Sequence, residues 1–291
     1  MRSTRIAAAV AGAVILVGGL SACNNNEGGG KASGGGSSST GGSDAGGKQD
    51  PAQNPADALK AAQQATKAKK TAKIDGSTTA TMVGKQVKQS TKGDLDWSQG
   101  MRMNVENTMD VAGSSGKPLK PVKAIYAEDA VYMNMGGALP GGGGKPWTKY
   151  PYSLLSKKLG GSGTLLQEAL QKADPSQAIE LLAASGSAKA VGKEDVNGVQ
   201  ATHYTGTLEL DQLSDKLGKD LRDMMRKQLA KGGAKSEQLD VWIDSDNLLV
   251  KKREKLGGKQ PRDSTVFYTG YGTKADVAPP PADQTATAPG A

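Results

Sequence analysis

A thiol, an imidazole and one short acidic run are the groups from which this chain would have to build chemistry. Cys23 is the only cysteine and His203 the only histidine. One of each cannot form a zinc cage, which draws several such ligands together. His203 lies in the alternating stretch Val199-Gln200-Ala201-Thr202-His203-Tyr204-Thr205, and no Gly-x-Ser-x-Gly elbow accompanies it. It reads as a structural or surface histidine. Asp244-Ser245-Asp246-Asn247-Leu248-Leu249 begins like a calcium loop, but leucines stand at a ligand position and at the required glycine, which leaves a hairpin turn. Gly141 to Gly144 before Lys145 looks like a phosphate loop. That pattern needs a glycine where Leu139 stands and a hydroxyl residue where Pro146 stands, so it fails twice. The remaining carboxylates are scattered and form no acid/base pair. Neither a catalytic residue, a cofactor nor a metal is expected, and the chain is not read as an enzyme.

What precedes Cys23 gives the thiol a different role. Arg2 and Arg5 make a positive start, Ile6 to Leu20 is apolar, and Ser21-Ala22 supply the small side chains a signal peptidase needs. The run is shorter than the roughly 18–20 residues of a membrane-spanning helix. A plain secretory signal with a leftover thiol is the bland alternative. The ending Leu20-Ser21-Ala22-Cys23, however, resembles the lipobox of bacterial lipoproteins, in which the cysteine is diacylated and the leader is cut just before it. Residues 1–22 are therefore expected to be a signal peptide. A diacylglyceryl anchor on Cys23 would hold the chain at the extracytoplasmic face of the cell membrane.

With the leader gone the net charge falls from +8 to +6. Lys and Arg are spread along the chain, and aromatic residues are only 4%. A nucleic-acid surface would want a basic stripe interleaved with stacking rings, so no nucleic-acid partner is expected. The surplus positive charge suits solubility or anionic headgroups. Residues 23–52, rich in Gly and Ser, read as the lipidated cysteine and a flexible linker. Residues 53–278 read as one folded domain. Residues 279–291, opening with Pro279-Pro280-Pro281, read as a Pro-rich disordered tail.

Within the domain, Asn54-Pro55 with Asp57 opens a helix running to about Lys70. Short strands with glycine-containing turns follow to Leu139, as an antiparallel meander. Asp174-Pro175-Ser176-Gln177 opens a second helix that Gly186 stops, and a strand pair spans about 187–210. Leu213, Leu217, Leu221 and Met224 recur at helical spacing. Stretches 239–243 and 248–256 form a hairpin, and 264–271 a last strand. The class is α+β, a mostly antiparallel sheet with three to five helices covering its apolar face. That face is rich in methionine, which fills irregular space and adapts to flexible partners. If the sheet curves, Met82, Met101, Met103, Val105, Ile125, Val131, Met133, Met135, Leu181 and Leu182 are the candidates to line a cavity for acyl chains. The bland alternative is an ordinary core.

The order of these elements resembles the actinobacterial LppX/LprG lipoproteins, whose fold is similar to the carriers LolA and LolB. The parts that carry the resemblance are the lipobox with its Gly/Ser linker, "NPADALKAAQQATKAKKTAKIDGS", "KAIYAEDAVYMNM" before "WTKY", and "DPSQAIELLAASGSAKAVGKEDVNGVQATHYTGTLEL". "LDVWIDSDNLLVKKREKL" and "STVFYTGYGT" before "VAPPPADQT" complete the order. The resemblance implies a half-barrel, a curved antiparallel sheet with helices packed on its concave face and a lipid-binding cavity between them. It implies a carrier of lipid, acylated glycolipid or lipoprotein across the cell envelope. A lipid-sensing or structural lipoprotein with an envelope protein partner is the other reading.

Overall fold

The structure is a computed structural model that describes residues 54–82, 84–112, 120–134, 144–159, 174–209, 233–234 and 236–290. The leader, Cys23, the linker and the helix expected around Leu213 to Met224 lie outside the described residues.

Helix α1 (Pro55–Ala68) starts where its sequence says it should. Asn54 Oδ1 accepts from the Asp57 backbone N–H at 3.4 Å, and Pro55 occupies a position whose N–H has no helical partner anyway. Leu59, Ala62 and Thr66 recur along one stripe and are buried. Lys70, at φ +66°, then turns the chain into the sheet.

Strands β1 (Thr71–Met82), β2 (Lys85–Asp96), β3 (Arg102–Val111), β4 (Val122–Tyr126), β5 (Ala130–Asn134) and β6 (Trp147–Pro151) form an antiparallel meander. A second meander comprises β7 (Lys189–Val196), β8 (Val199–Glu209), β9 (Ser236–Asp244), β10 (Leu249–Leu256) and β11 (Arg262–Thr269). Asn197 and Gly198, both at positive φ, make the tight β7–β8 turn. The β9–β10 turn closes on itself, because the Asp244 carboxylate accepts the N–H groups of Asp246 and Leu248 at 2.9 and 2.8 Å. The two meanders join in the middle of the sheet, where β11 runs antiparallel to β1 from Lys73 opposite Thr269 to Ala80 opposite Arg262.

A sheet of this width curls rather than lying flat. It is the curved half-barrel of the α+β class, with α1 and α3 (Ser176–Ala184) on the concave face. Helix α3 buries Ile179, Leu181 and Leu182. The Asp174 carboxylate accepts the Ser176 N–H at 2.8 Å, one of the donors left open at the helix start. Gly206 lets α3 lie close to β8, since a Cβ there would stand 2.6 Å from Leu182 Cδ1. Helix α2 (Tyr152–Leu159) follows β6 and adds Tyr152, Leu154 and Leu155 to the same core.

One boundary needs correction. Residues 279–291 were expected as a disordered tail, but Ala282–Gln284 form a 3-10 turn and Thr285–Thr287 form β12, parallel to β6. The edge of β6 supplies the free backbone groups that a Pro-rich sequence gives no hint of. Ala288 is buried and its N–H donates to the Lys149 carbonyl at 2.9 Å. Lys145 Nζ reaches the Ala282 and Thr285 carbonyls at 3.3 and 3.2 Å. The folded domain thus extends to Gly290. Deleting 282–291 is expected to lower Tm by about 4–8 °C, for roughly 2 kcal/mol of lost edge pairing. An unchanged Tm in a thermal melt would show that this strand adds nothing to the fold.

Candidate ligand-binding face

Period-two alternation fixes which side chains enter the concave side. Met103 pairs with Leu95 and Tyr126, and Val105 with Gly93 and Ala124. Val131 and Met133 continue that face onto β5, while Tyr150 does so on β6. Tyr204, Val241, Val266 and Tyr268 extend it on the other meander. Leu59 and Ala62 of α1 and Ile179, Leu181 and Leu182 of α3 pack onto it in one buried cluster. Helix α1 is tied down at its end, where Thr66 Oγ1 accepts the Leu249 N–H at 3.1 Å. The Trp97 indole N–H donates to the Lys67 carbonyl at 3.1 Å.

Of the cavity candidates, Met101, Met103, Val105, Val131, Met133, Leu181 and Leu182 come together in this cluster. Ile125 does not. It stands in register with Asn104 and Tyr132 and packs on the convex side with Ala127, Ala130 and Tyr132. The run Ala124-Ile125-Tyr126-Ala127 is apolar throughout, so parity could not be read from it. The side chain of Met82 and all of Met135 lie outside the described residues. Tyr126, missed by the sequence reading, is one of the largest fully buried side chains of this surface, with Tyr204, and burial drives its hydroxyl pKa well up.

The concave face is not apolar along its whole length. Towards the ends of β1 and β2 that lie near Gly84, the same parity presents Thr78, Gln89, Thr91 and Asn107, all buried. Thr78 and Ser264 share a hydroxyl hydrogen bond of 3.0 Å. Asn107 Oδ1 accepts from Gln89 Nε2 at 3.2 Å and from the Thr91 hydroxyl. On β10, Lys252 and Glu254 form a buried ion pair of 3.0 Å. Arg262 reaches across β10 to Glu237, also at 3.0 Å. Burial works against the Lys252 charge, but Glu254, Tyr268 and Glu237 outweigh it and hold its pKa above the ordinary lysine value. Burial, then repulsion from Glu254, pushes the Glu237 carboxyl up against the pull of Arg262. The sequence hid this band because Lys251-Lys252-Arg253-Glu254-Lys255 is polar at every position and shows no alternation.

His203 lies on the convex face. Its ring nitrogens meet Glu194 Oε1 at 2.9 Å and Asp240 Oδ1 at 3.0 Å, and it stacks on Trp242 with centroids 4.2 Å apart. Lys251 Nζ sits 3.8 Å from the Trp242 ring centroid. An open polar hollow of about 400 Å³ also opens by Thr207, Gln238 and Lys255, residues of the convex parity. Among the described residues, no group of three or more His, Cys, Asp and Glu is placed to hold a metal.

No family model matches the chain. A Streptomyces griseus protein named "Uncharacterized 31.2 kDa protein in rplA-rplJ intergenic region" is 36% identical over 243 residues, covering 80% of this chain and 78% of its own. The chain belongs to the family of that protein. A Streptomyces coelicolor relative, named "Putative lipoprotein SCO4650", is 28% identical over 79% of this chain and 74% of its own. Among solved structures, the Mycobacterium tuberculosis lipoprotein LppX is 17% identical with a TM-score of 0.44, covering 77% of this chain and 97% of its own. LprF from Mycobacterium bovis is 13% identical with a TM-score of 0.45, covering 78% and 98%. The element order that carries the resemblance to the actinobacterial LppX/LprG lipoproteins, a helix, a meander, a helix and a second meander, is the order the described residues have.

Two predictions follow the geometry. Thr66→Val strips the buried Leu249 N–H of its acceptor and is expected to destabilise the chain by about 1–3 kcal/mol in chemical unfolding; a loss below a few tenths would mean the amide finds another partner. The second concerns Glu194, whose carboxyl the Trp242 N–H at 2.7 Å holds below the usual range, with burial opposing and His203 and Lys251 assisting. A lowered folded pKa contributes stability above the ordinary carboxylate pKa and loses it as the pH falls. The Tm gap between wild type and Trp242→Phe is therefore expected to be widest above about pH 5 and to narrow below about pH 4. A gap with no pH dependence would assign the whole effect to packing.

Proposed function

We propose that this chain is a membrane-anchored lipoprotein that binds the acyl part of a lipid against the apolar half of its concave face and moves it through the cell envelope. The observation that supports this most directly is the chemistry of that face. Met101, Met103 and Met133 sit with Val105 and Val131 in the same buried cluster as the apolar stripes of α1 and α3, so flexible side chains, rather than rigid rings alone, make up this face. Methionine repacks at little cost, which suits a surface that alternates between helix contact and acyl contact. Each methylene moved out of water contributes about 0.8 kcal/mol, so such a surface needs no charged ligand to bind a chain.

The anchor rests on Leu20-Ser21-Ala22-Cys23 and agrees with the name of the coelicolor relative. On this reading residues 1–22 are removed, Cys23 carries two acyl chains, and residues 24–52 tether the domain at the extracytoplasmic face. Two chains on one residue give a stable attachment where one alone is marginal. The protein acts by binding and not by catalysis.

Two measurements test the proposal. Cys23→Ala is expected to abolish palmitate labelling and shift the chain from the membrane to the soluble fraction; labelling that persists would refute the anchor. Residues 24–291, purified and extracted with organic solvent, are expected to release acyl lipid detectable by mass spectrometry and to take up the neutral probe N-phenyl-1-naphthylamine. Met133→Glu, which sets a charge within the apolar cluster, is expected to weaken probe uptake at least ten-fold. No released lipid and no probe uptake would leave the lipid-sensing or partner-binding reading in place of the carrier.

A further inference from the structure

Charge is handled differently on the two sides of this molecule. On the convex face four cations stand beside carboxylates: Lys73 with Asp94 at 2.7 Å, Lys92 with Asp75 at 3.0 Å, Lys149 with Asp129 at 2.6 Å and Arg253 with Asp263 at 2.6 Å. Helix α1 carries Lys60 and Lys67, and Lys69 and Lys70 follow it into the turn before β1. All four are exposed, and among the described residues none of them makes an ion pair.

Helical geometry groups these lysines. Leu59, Ala62 and Thr66 turn inward to the concave face, so Lys60, Gln64 and Lys67 turn outward. Lys60 and Lys67 share one side of the helix, two turns and about 10 Å apart. The other outward residues include Ala56, Ala61 and Ala68, which are too small to fill a partner's pocket or to enter a bilayer core. Of the acids that hydrogen-bond to this helix or lie in it, Asp57 is bound by Asn54 and Glu180 by Gln63. The end that carries three of the lysines is pinned to the sheet, because Thr66 Oγ1 accepts the Leu249 N–H and the Lys67 carbonyl accepts the Trp97 indole N–H.

We propose that this outward face of α1, with the turn after it, is an electrostatic docking surface for the anionic headgroups of a bilayer. The inference rests on the anchored reading, which places the domain beside a membrane, and adds which side of the domain meets it. These lysines are the first four described cations after Cys23 along the chain. A tether multiplies weak contacts, since it keeps the surface at high local concentration. Each lysine near an anionic surface is worth about five-fold in binding, within a Debye length of about 8–10 Å. Four such contacts serve a tethered domain. A protein partner would call for large buried anchors, which a face of alanine and lysine lacks. Because α1 lies on the concave side, docking through it turns the helix-covered side of the half-barrel towards the lipid, and the convex back away from it.

Docking is measured apart from anchoring with residues 24–291, which lack Cys23. The chain is expected to co-sediment with vesicles of phosphatidylcholine containing one third phosphatidylglycerol at about 0.1 M salt, and to be released at about 0.5 M. Vesicles of phosphatidylcholine alone are expected to leave it in solution. Lys67→Ser with Lys69→Ser is expected to weaken binding at least ten-fold. Lys85→Ser with Lys88→Ser removes the same charge from exposed positions at the other end of β1 and β2, and is expected to weaken it less than two-fold. All four substitutions fall on exposed side chains, so both variants are expected to melt with the wild type.

Failure of the wild-type chain to bind anionic vesicles would overturn the docking surface without recourse to any variant, while palmitate labelling at Cys23 would still decide the anchor. Equal losses in the two double variants would overturn it too, since binding would then follow net charge and not α1. Loss of poly-glutamate binding in Lys67→Ser with Lys69→Ser, with vesicle binding intact, would give the lysines to an acidic protein. Vesicle binding that needs these lysines, in a chain that takes no palmitate, would overturn the anchor alone.

Discussion

An open sheet of a dozen strands has one face to hide, and strict alternation along every strand decides which residues can hide it. That constraint propagates through the whole molecule. Because Met103 stands opposite both Leu95 and Tyr126, three strands commit the same parity to the concave side at once. A slip of one residue in β3 would expose Met103 and bury Asn104 or Arg102. The pairing of β1 with β11 then ties the two meanders into one register, so the choice made in the first half of the chain binds the second. The helices come after this decision. They pack where the alternation has already made an apolar surface, and Gly206 gives α3 the room to do so.

The same register explains why the concave face changes character along its length. Moving down β1 from Ala72 through Ile74 and Gly76 to Thr78 crosses from hydrocarbon to hydroxyl without leaving the face, and the neighbouring strands change in step. Leu95 gives way to Thr91 and Gln89 on β2, and Met103 to Asn107 on β3. Among the described residues, buried polar atoms without a hydrogen-bond partner occur in both parts, Glu254 Oε2, Arg262 Nε and Asn107 Nδ2 in the polar one and the Tyr126 hydroxyl in the apolar one.

Much of this was legible in the sequence, and what was not has physical reasons. Helix α1 announced itself through Asn54-Pro55, and β3 through Met101, Met103 and Val105 on one parity, because caps and alternation are local signals. Asp244-Ser245-Asp246-Asn247 was rightly read as a turn. Ile125 was assigned to the wrong side because the strand around it is apolar on both faces. The β12 edge strand was invisible, since three residues of Thr-Ala-Thr gain their structure only from the waiting edge of β6. Most instructive is β10. Its charged run reads as a solvated surface strand, yet Lys252 and Glu254 are buried while Lys251 reaches over Trp242 on the other face. Local composition cannot distinguish those two fates; only the partner strands do.

A division of labour between the two halves of the concave face follows from magnitudes. Apolar burial is proportional to area and indifferent to what the area belongs to, so any acyl chain of given length binds the methionine end about equally well. On the proposed carrier reading, a protein that relied on this alone would be filled by the commonest lipid of its membrane. Discrimination has to come from groups whose satisfaction depends on the partner, and buried unpaired donors and acceptors are the strongest such groups a fold can offer, because a wrong partner leaves their desolvation unrelieved. Lys252, Glu254, Arg262 and Glu237 are costly in desolvation and satisfied only by well-placed partners. In this half-barrel the least stabilising part of the interior is therefore the part best suited to carry specificity.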